Sequence, residues 1–181
     1  MQRIARCGCL PAGRSTPILD PALGGAGGRV GAEMPEQQFP EPTVRGLIVN
    51  AAGRLLLMRS HKWRDKWVVP GGHIELGERM DDALRRELRE ETGLDIHDIR
   101  LLLHQEFVYD DAFWERRHFI FFDFFCRTDG QEVHLNSEAQ AYRWVTVTEA
   151  LEMPIDAYTR RLIEAYVDTL GRSRGVQPSA T

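Results

Sequence analysis

Three glutamates, Glu87, Glu90 and Glu91, crowd into one short segment of the chain. If that segment is helical, at about 100° per residue Glu91 lies roughly 40° from Glu87, and Glu90 about 60° to its other side. Met80, Leu84 and Leu88 form an apolar stripe at about 20°, 60° and 100° on the same scale. The glutamates therefore flank or invade the buried face, while Asp82, Arg85 and Arg89 point away. Like charges three and four residues apart repel, and desolvation raises the cost. A solvated acidic face would lie opposite the stripe. A hard divalent cation instead turns the repulsion into a site, because Mg²⁺ accepts carboxylate oxygens together with water and substrate phosphate. Arg86 precedes Glu90 by four residues and is placed to orient its carboxylate.

The neighbouring residues are suited to hold such a site. Pro70-Gly71-Gly72 closes a short apolar strand, Trp67-Val68-Val69, and Gly77 marks a second turn. The spacing predicts a helix over 80–92, stopped by Gly93 in the left-handed conformation. Val44, Gly46 and Ile48, then Leu55 and Leu57, alternate on either side of Asn50-Ala51-Ala52-Gly53, the pattern of a hairpin. Residues 99–109, 117–127 and 141–147 read as further strands. Five of the eight phenylalanines fall in 117–127, on both faces, which marks a central strand covered on each side. Asp123 interrupts one face, as an exposed strand end or with a polar partner. Residues 148–153 and 158–170 read as helices. Strands mixed with a few helices imply a sheet between helical layers.

At 181 residues the chain fits one ordinary domain plus tails. Residues 1–42, with Gly24, Gly25, Gly27 and Gly28 and then Pro35, Pro40 and Pro42, show no sustained period and are expected to be disordered. Met34 is an alternative start just ahead of the patterned region, and no apolar core of signal-peptide length is present. Cys7-Gly8-Cys9 has no partner ligands and reads as inert. A domain is expected over 43–170 and a loose tail over 171–181. The net charge of −4 argues against a strong grip on nucleic acid or an anionic membrane. No run approaches the roughly 20 apolar residues of a span. Three cysteines make no disulfide framework and agree with a reducing, cytoplasmic compartment.

Gly72, five residues, Glu78, seven residues and then Arg86-Glu87-Leu88-Arg89-Glu90-Glu91-Thr92-Gly93-Leu94 resembles the Nudix box, with every specified position filled. Trp67 to Gly72 upstream and Trp144-Val145 downstream are similar to the family too. The resemblance implies an α+β fold, a mixed sheet sandwiched between helices with the box as loop–helix–loop. It also implies Mg²⁺- or Mn²⁺-dependent hydrolysis of a nucleoside diphosphate linked to another group, a small-molecule derivative such as a nucleoside triphosphate, ADP-ribose, another NDP-sugar or a dinucleoside polyphosphate, or a capped RNA. On this resemblance Glu87, Glu90 and Glu91 are metal ligands, joined by the backbone carbonyl of Gly71, and Glu78 with Arg86 steadies them. Glu138, six residues before Trp144, stands where many members place a further metal-binding or catalytic carboxylate, with Glu132 nearby. Glu87, Glu91 or Glu138 takes the proton of the attacking water. A homodimer is compatible with this reading. Two other classes share the fold: a nucleotide sensor, expected to have a broken box, and an isopentenyl diphosphate isomerase, for which Cys126 in a buried strand is a poor fit. The box does not specify the substrate.

Outside the box, Arg59, His61, Lys62 and Arg64 are candidates for substrate phosphates, against solvated loop positions. Trp63 and Trp114 could stack on a base, although packing is the commoner role of an aromatic near a turn. Arg116, Arg117 and His118 are weaker candidates for substrate contact. Cys126 reads as a small buried apolar residue.

Overall fold

The computed structural model describes residues 39–175. The tail expected over 1–42 falls almost entirely outside them, as do Met34 and Cys7-Gly8-Cys9.

The order of elements is β1 (Glu41–Asn50), β2 (Leu55–Ser60), a 3₁₀ turn (His61–Trp63), β3 (Lys66–Val68), β4 (Gly71–His73), α1 (Met80–Thr92), β5 (His97–Val108), β6 (His118–Thr128), β7 (Ala141–Val145), α2 (Val147–Glu152) and α3 (Ala157–Gly175). The hairpin turn forms as its residues dictate. Asn50 Oδ1 accepts from the backbone N–H groups of Ala52 and Arg54, and Gly53 takes φ 72°. The sheet runs β3-β2-β1-β6-β5, with β4 paired to β1 and β7 to β2. β1 and β6 are parallel and the other pairs antiparallel, so the sheet is mixed.

Alternation along β1 feeds two cores. Val44 and Ile48 face α1 together with Leu56, Leu84, Leu88, Phe124 and Cys126. Leu47 and Val49 face the opposite layer, with Leu55, Leu57, Phe125, Leu162 and Ile163. Helices thus cover both faces, the sandwich expected. Gly46 lets α1 approach, since a Cβ there would lie 2.5 Å from Leu88 Cδ1. β6 is the doubly covered strand its phenylalanines predict. Asp123, however, is not at a strand end. It is buried in mid-strand with a polar partner described below.

Helix ends follow local chemistry. Gly93 at φ 72° closes α1, donating its N–H to the Arg89 carbonyl. Thr146 and Glu149 form a capping box on α2, and Asp156 Oδ1 accepts from the Tyr158 and Thr159 N–H groups at the start of α3. α3 continues to Gly175, past the expected start of a loose tail at 171. Gly71–His73 joins β1 as a short strand where the sequence suggests only a turn. Among the described residues no helix is long and apolar enough to cross a membrane.

Candidate functional site

The Pro-Gly-Gly turn brings backbone against α1 at a distance that only glycine permits. A Cβ on Gly72 would collide with the Glu87 carboxylate, and one on Gly71 with the Val44 carbonyl. In return, the Gly71 N–H donates to Glu91 Oε2 at 2.8 Å. Gly77 at φ 86° turns the chain so that Glu78 reaches back toward α1.

Arg86 is the hub of the loop. Its Nε and Nη2 grip the two Glu78 oxygens at 2.9 and 2.8 Å. Its Nη1 donates to Glu87 at 2.8 Å and its Nη2 to the His73 carbonyl at 3.0 Å. Such bidentate pairs fix orientation as well as charge. They hold the Glu78 carboxyl below its usual range and make Arg86 still harder to deprotonate.

The three helical glutamates differ in environment. Glu91 is 8% exposed, at the heart of the buried sector with Leu84 and Leu88. Burial pushes its carboxyl up to about 8, opposed by the Gly71 N–H and reinforced by the charges of Glu138 and Glu87. Glu87 is partly buried and raised for the same reason, with Arg86 pulling the other way. Glu90 is exposed, with Arg86 3.7 Å away. It flanks the buried face but does not invade it. Met80 at the first helical position is exposed as well, and Ala83 takes its place in the stripe. Glu138 arrives from the loop before β7, where its N–H donates to Asn136 Oδ1 and its carboxylate pairs with Lys62 at 2.5 Å.

Glu87, Glu90, Glu91, Glu138 and Gly71 all line one cleft of about 450 Å³. Among the described residues no three acidic, His or Cys side chains are already drawn together as a metal cluster. Glu87 is turned to Arg86, and Glu138 to Lys62. The donor set nonetheless fits a hard cation. It is all oxygen, and its buried member is costly as an anion without added positive charge.

The same cleft is lined by Trp63, Phe113, Phe119, Phe121 and Arg45, the last paired in register with Gly71. Arg45 went unnoticed in the sequence, inside an apolar alternation. It is register partner to Asp123 on the parallel strand β6. Its Nε and Nη2 bond the two Asp123 oxygens at 2.7 and 2.9 Å. Gln105 Nε2 adds a bond to Asp123 at 2.7 Å and another to the Tyr158 carbonyl at 2.9 Å. One signal was available: two opposite charges interrupting two otherwise buried strands.

Of the other candidates, Lys62 and Trp63 line the cleft. Trp63 does so as a packed residue, edge-on to Phe107 and Phe113. Arg59 turns to Asp65, Arg64 to the carbonyls of Asp111 and Phe113, and Arg117 to Glu41 and Glu115. Arg116 covers Tyr109, and His118 meets the same ring. His61 meets the exposed Trp114. None of these lines the cleft. Glu132 lies by His134, also away from it. Cys126 is buried as expected, and burial pushes its thiol up to about 12.

The NUDIX domain model matches residues 40–166. The nucleoside triphosphatase NudI of Escherichia coli strain K12 is 33% identical over 109 residues, covering 54% of this chain and 74% of the relative. Among solved structures, a MutT protein from Methanosarcina mazei Go1 is 26% identical with TM-score 0.58, over 78% of this chain and all of that one. The NUDIX domain of Shewanella oneidensis NrtR, solved with ADP ribose, is 19% identical with TM-score 0.63 over 74% of this chain and 90% of that one. At that identity it supports the fold alone.

Proposed function

The chain belongs to the Nudix family and is a pyrophosphohydrolase, and we propose that its substrate is a nucleoside triphosphate or related nucleoside diphosphate derivative, cleaved with Mg²⁺ or Mn²⁺. The observation that carries this reading is Glu91, a carboxylate buried on the cleft beside Glu87 and Glu138. It is met by the Gly71 N–H and by no ion pair among the described residues. Glu87, Glu90, Glu91, Glu138 and the Gly71 carbonyl would hold the cation. When bound, it neutralises charge on the diphosphate and makes a water more acidic.

The residues divide the remaining work. Water attacks phosphorus, the bridging P–O bond breaks and two phosphate products leave. The water's proton goes to a carboxylate oxygen, for which Glu87, Glu91 and Glu138 stand within one cleft. Glu91 Oε2 is held by the Gly71 N–H, which leaves Oε1 as its other acceptor. Arg86 does not touch the substrate in this account. It fixes Glu87 through one nitrogen while Glu78 fixes Arg86. The intact box speaks against a sensor that binds without cleaving. The name of the 33%-identical relative favours nucleoside triphosphates over other diphosphates.

The test is release of phosphate, pyrophosphate or nucleoside monophosphate from nucleoside triphosphates and NDP-sugars. Turnover should require Mg²⁺ or Mn²⁺, vanish with EDTA and return on adding the cation. Full turnover by rigorously metal-free protein would contradict the reading.

A further inference from the structure

Among the aromatic residues of the cleft stands one polar group whose chemistry is unusually restricted. Arg45 is buried, yet it lines the cleft together with Trp63, Phe113, Phe119 and Phe121. Its guanidinium lies over the Phe121 ring, 4.0 Å from the centroid. Asp123 takes two of its three nitrogens, Nε and Nη2, and so locks its plane. Gln105, itself anchored on the Tyr158 carbonyl, donates to Asp123 and locks it in turn. Nη1 is the nitrogen left to meet a ligand.

Each feature narrows what that ligand can be. The Arg45–Asp123 pair is neutral as a unit, so it offers little net charge for a phosphate. Aromatic walls favour a planar, largely apolar group. A guanidinium only donates hydrogen bonds and keeps its protons at any ordinary pH, so the group it meets must accept. An amino group in the same position would set donor against donor and leave Nη1 without an acceptor, an arrangement that costs more than a lost contact.

We propose that Arg45 is a specificity residue that reads the nucleobase of the substrate, selecting bases that carry a carbonyl at pyrimidine position 4 or purine position 6 over those that carry an amino group there. At those positions uracil, thymine and guanine offer Nη1 an acceptor, whereas cytosine and adenine offer an amino donor. The proposal rests on the nucleotide-hydrolase reading above and adds to it the identity of the base.

The experiment compares kcat/KM for UTP against CTP and for GTP against ATP, with Mg²⁺ and the full chain. The expected preference for the carbonyl partner in each pair is roughly tenfold to a hundredfold, the span of one hydrogen bond to a charged group. Arg45→Lys keeps a positive charge beside Asp123 but loses the planar fork, and both ratios should fall toward one. A purely structural Arg45 would lower all four substrates together and leave the ratios where they were. The Arg45→Gln, Asp123→Asn double variant keeps a neutral pair that can accept as well as donate, and should likewise lose the preference. Binding of uridine and cytidine, followed by tryptophan fluorescence with Trp63 in the cleft wall, reads the same selectivity without catalysis. Uridine preference without turnover of any triphosphate would sink the hydrolase reading and leave the base assignment standing. Equal kcat/KM and equal nucleoside binding in the wild type, or ratios unchanged in Arg45→Lys, would overturn the assignment.

Discussion

Two buried carboxylates, Glu91 on the cleft and Asp123 behind the cleft-lining Arg45, are treated in opposite ways. Asp123 is fully buried, yet Arg45 meets both its oxygens and Gln105 adds a third bond. Glu91 is almost as buried and receives one backbone N–H, with Glu138 and Glu87 as repelling neighbours and Lys62 opposing them more weakly. The first arrangement is complete within the chain. The second has no ion-pair partner among the described residues, so added positive charge would favour it. Burial alone therefore does not identify a functional acid. A buried acid with no ion-pair partner among the described residues is the stronger candidate, because the fold bears a cost there that ligand binding would remove.

The largest expected effect probes the satisfied acid. Asp123→Asn leaves the Arg45 charge buried and unpaired and should cost about 3–5 kcal/mol in a denaturant titration, the usual scale for breaking a buried pair. Replacing both partners with Met and Leu should restore most of that stability, since a well-packed apolar pair is often neutral or better. If Asp123→Asn were harmless, the contrast between the two acids would be lost.

Next in size is Gly72→Ala. The added methyl meets the Glu87 carboxylate and must displace it from Arg86. A displacement of about 1 Å in a positioned group costs on the order of a hundredfold in turnover. Thermal melting should change far less than kcat, because the collision is with a side chain at the cleft and not with backbone in the core.

The smallest effect is a slope with pH. Glu91 holds its proton more tightly folded, at about 8, than its ordinary value of 4.5. Its contribution to the stability of the metal-free protein is therefore fully present below the unfolded value. It is lost as pH rises through the folded one. Metal-free melting temperature should decline by a few degrees across that window, and saturating Mg²⁺ should flatten the decline. A flat metal-free profile would show that Glu91 already has its counter-charge.

The surroundings of the unsatisfied acid were far more legible in sequence than those of the satisfied one. Glu87, Glu90 and Glu91 lie within one helix, so a fixed rotation per residue places them against Leu84 and Leu88 without knowledge of the rest of the fold. Their separate fates were less visible: Glu90 is exposed because the buried sector runs from Ala83 through Glu91 to Thr92. Glu138 depended on resemblance, since no period governs a loop, and the structure brings it to the cleft through Asn136 and Lys62. Arg45 and Asp123 are 78 residues apart and meet only through the parallel register of β1 and β6. Local pattern carries no information on such a pairing. β4 was hidden for a different reason, being three residues long and opened by two glycines, with neither the length nor the side chains that mark a strand.

The most direct test of the account is Glu91→Gln, read in two ways on the same protein. Glutamine keeps the volume and can still accept from the Gly71 N–H, while the charge is removed. Turnover of a nucleoside triphosphate at saturating Mg²⁺ should fall at least about a hundredfold, the scale of losing a transition-state electrostatic contact. Metal-free melting at pH 8 should stay level or rise, because a buried repulsive charge has gone. Near wild-type turnover, or a marked loss of metal-free stability, would contradict the claim that Glu91 is buried for the sake of a bound cation.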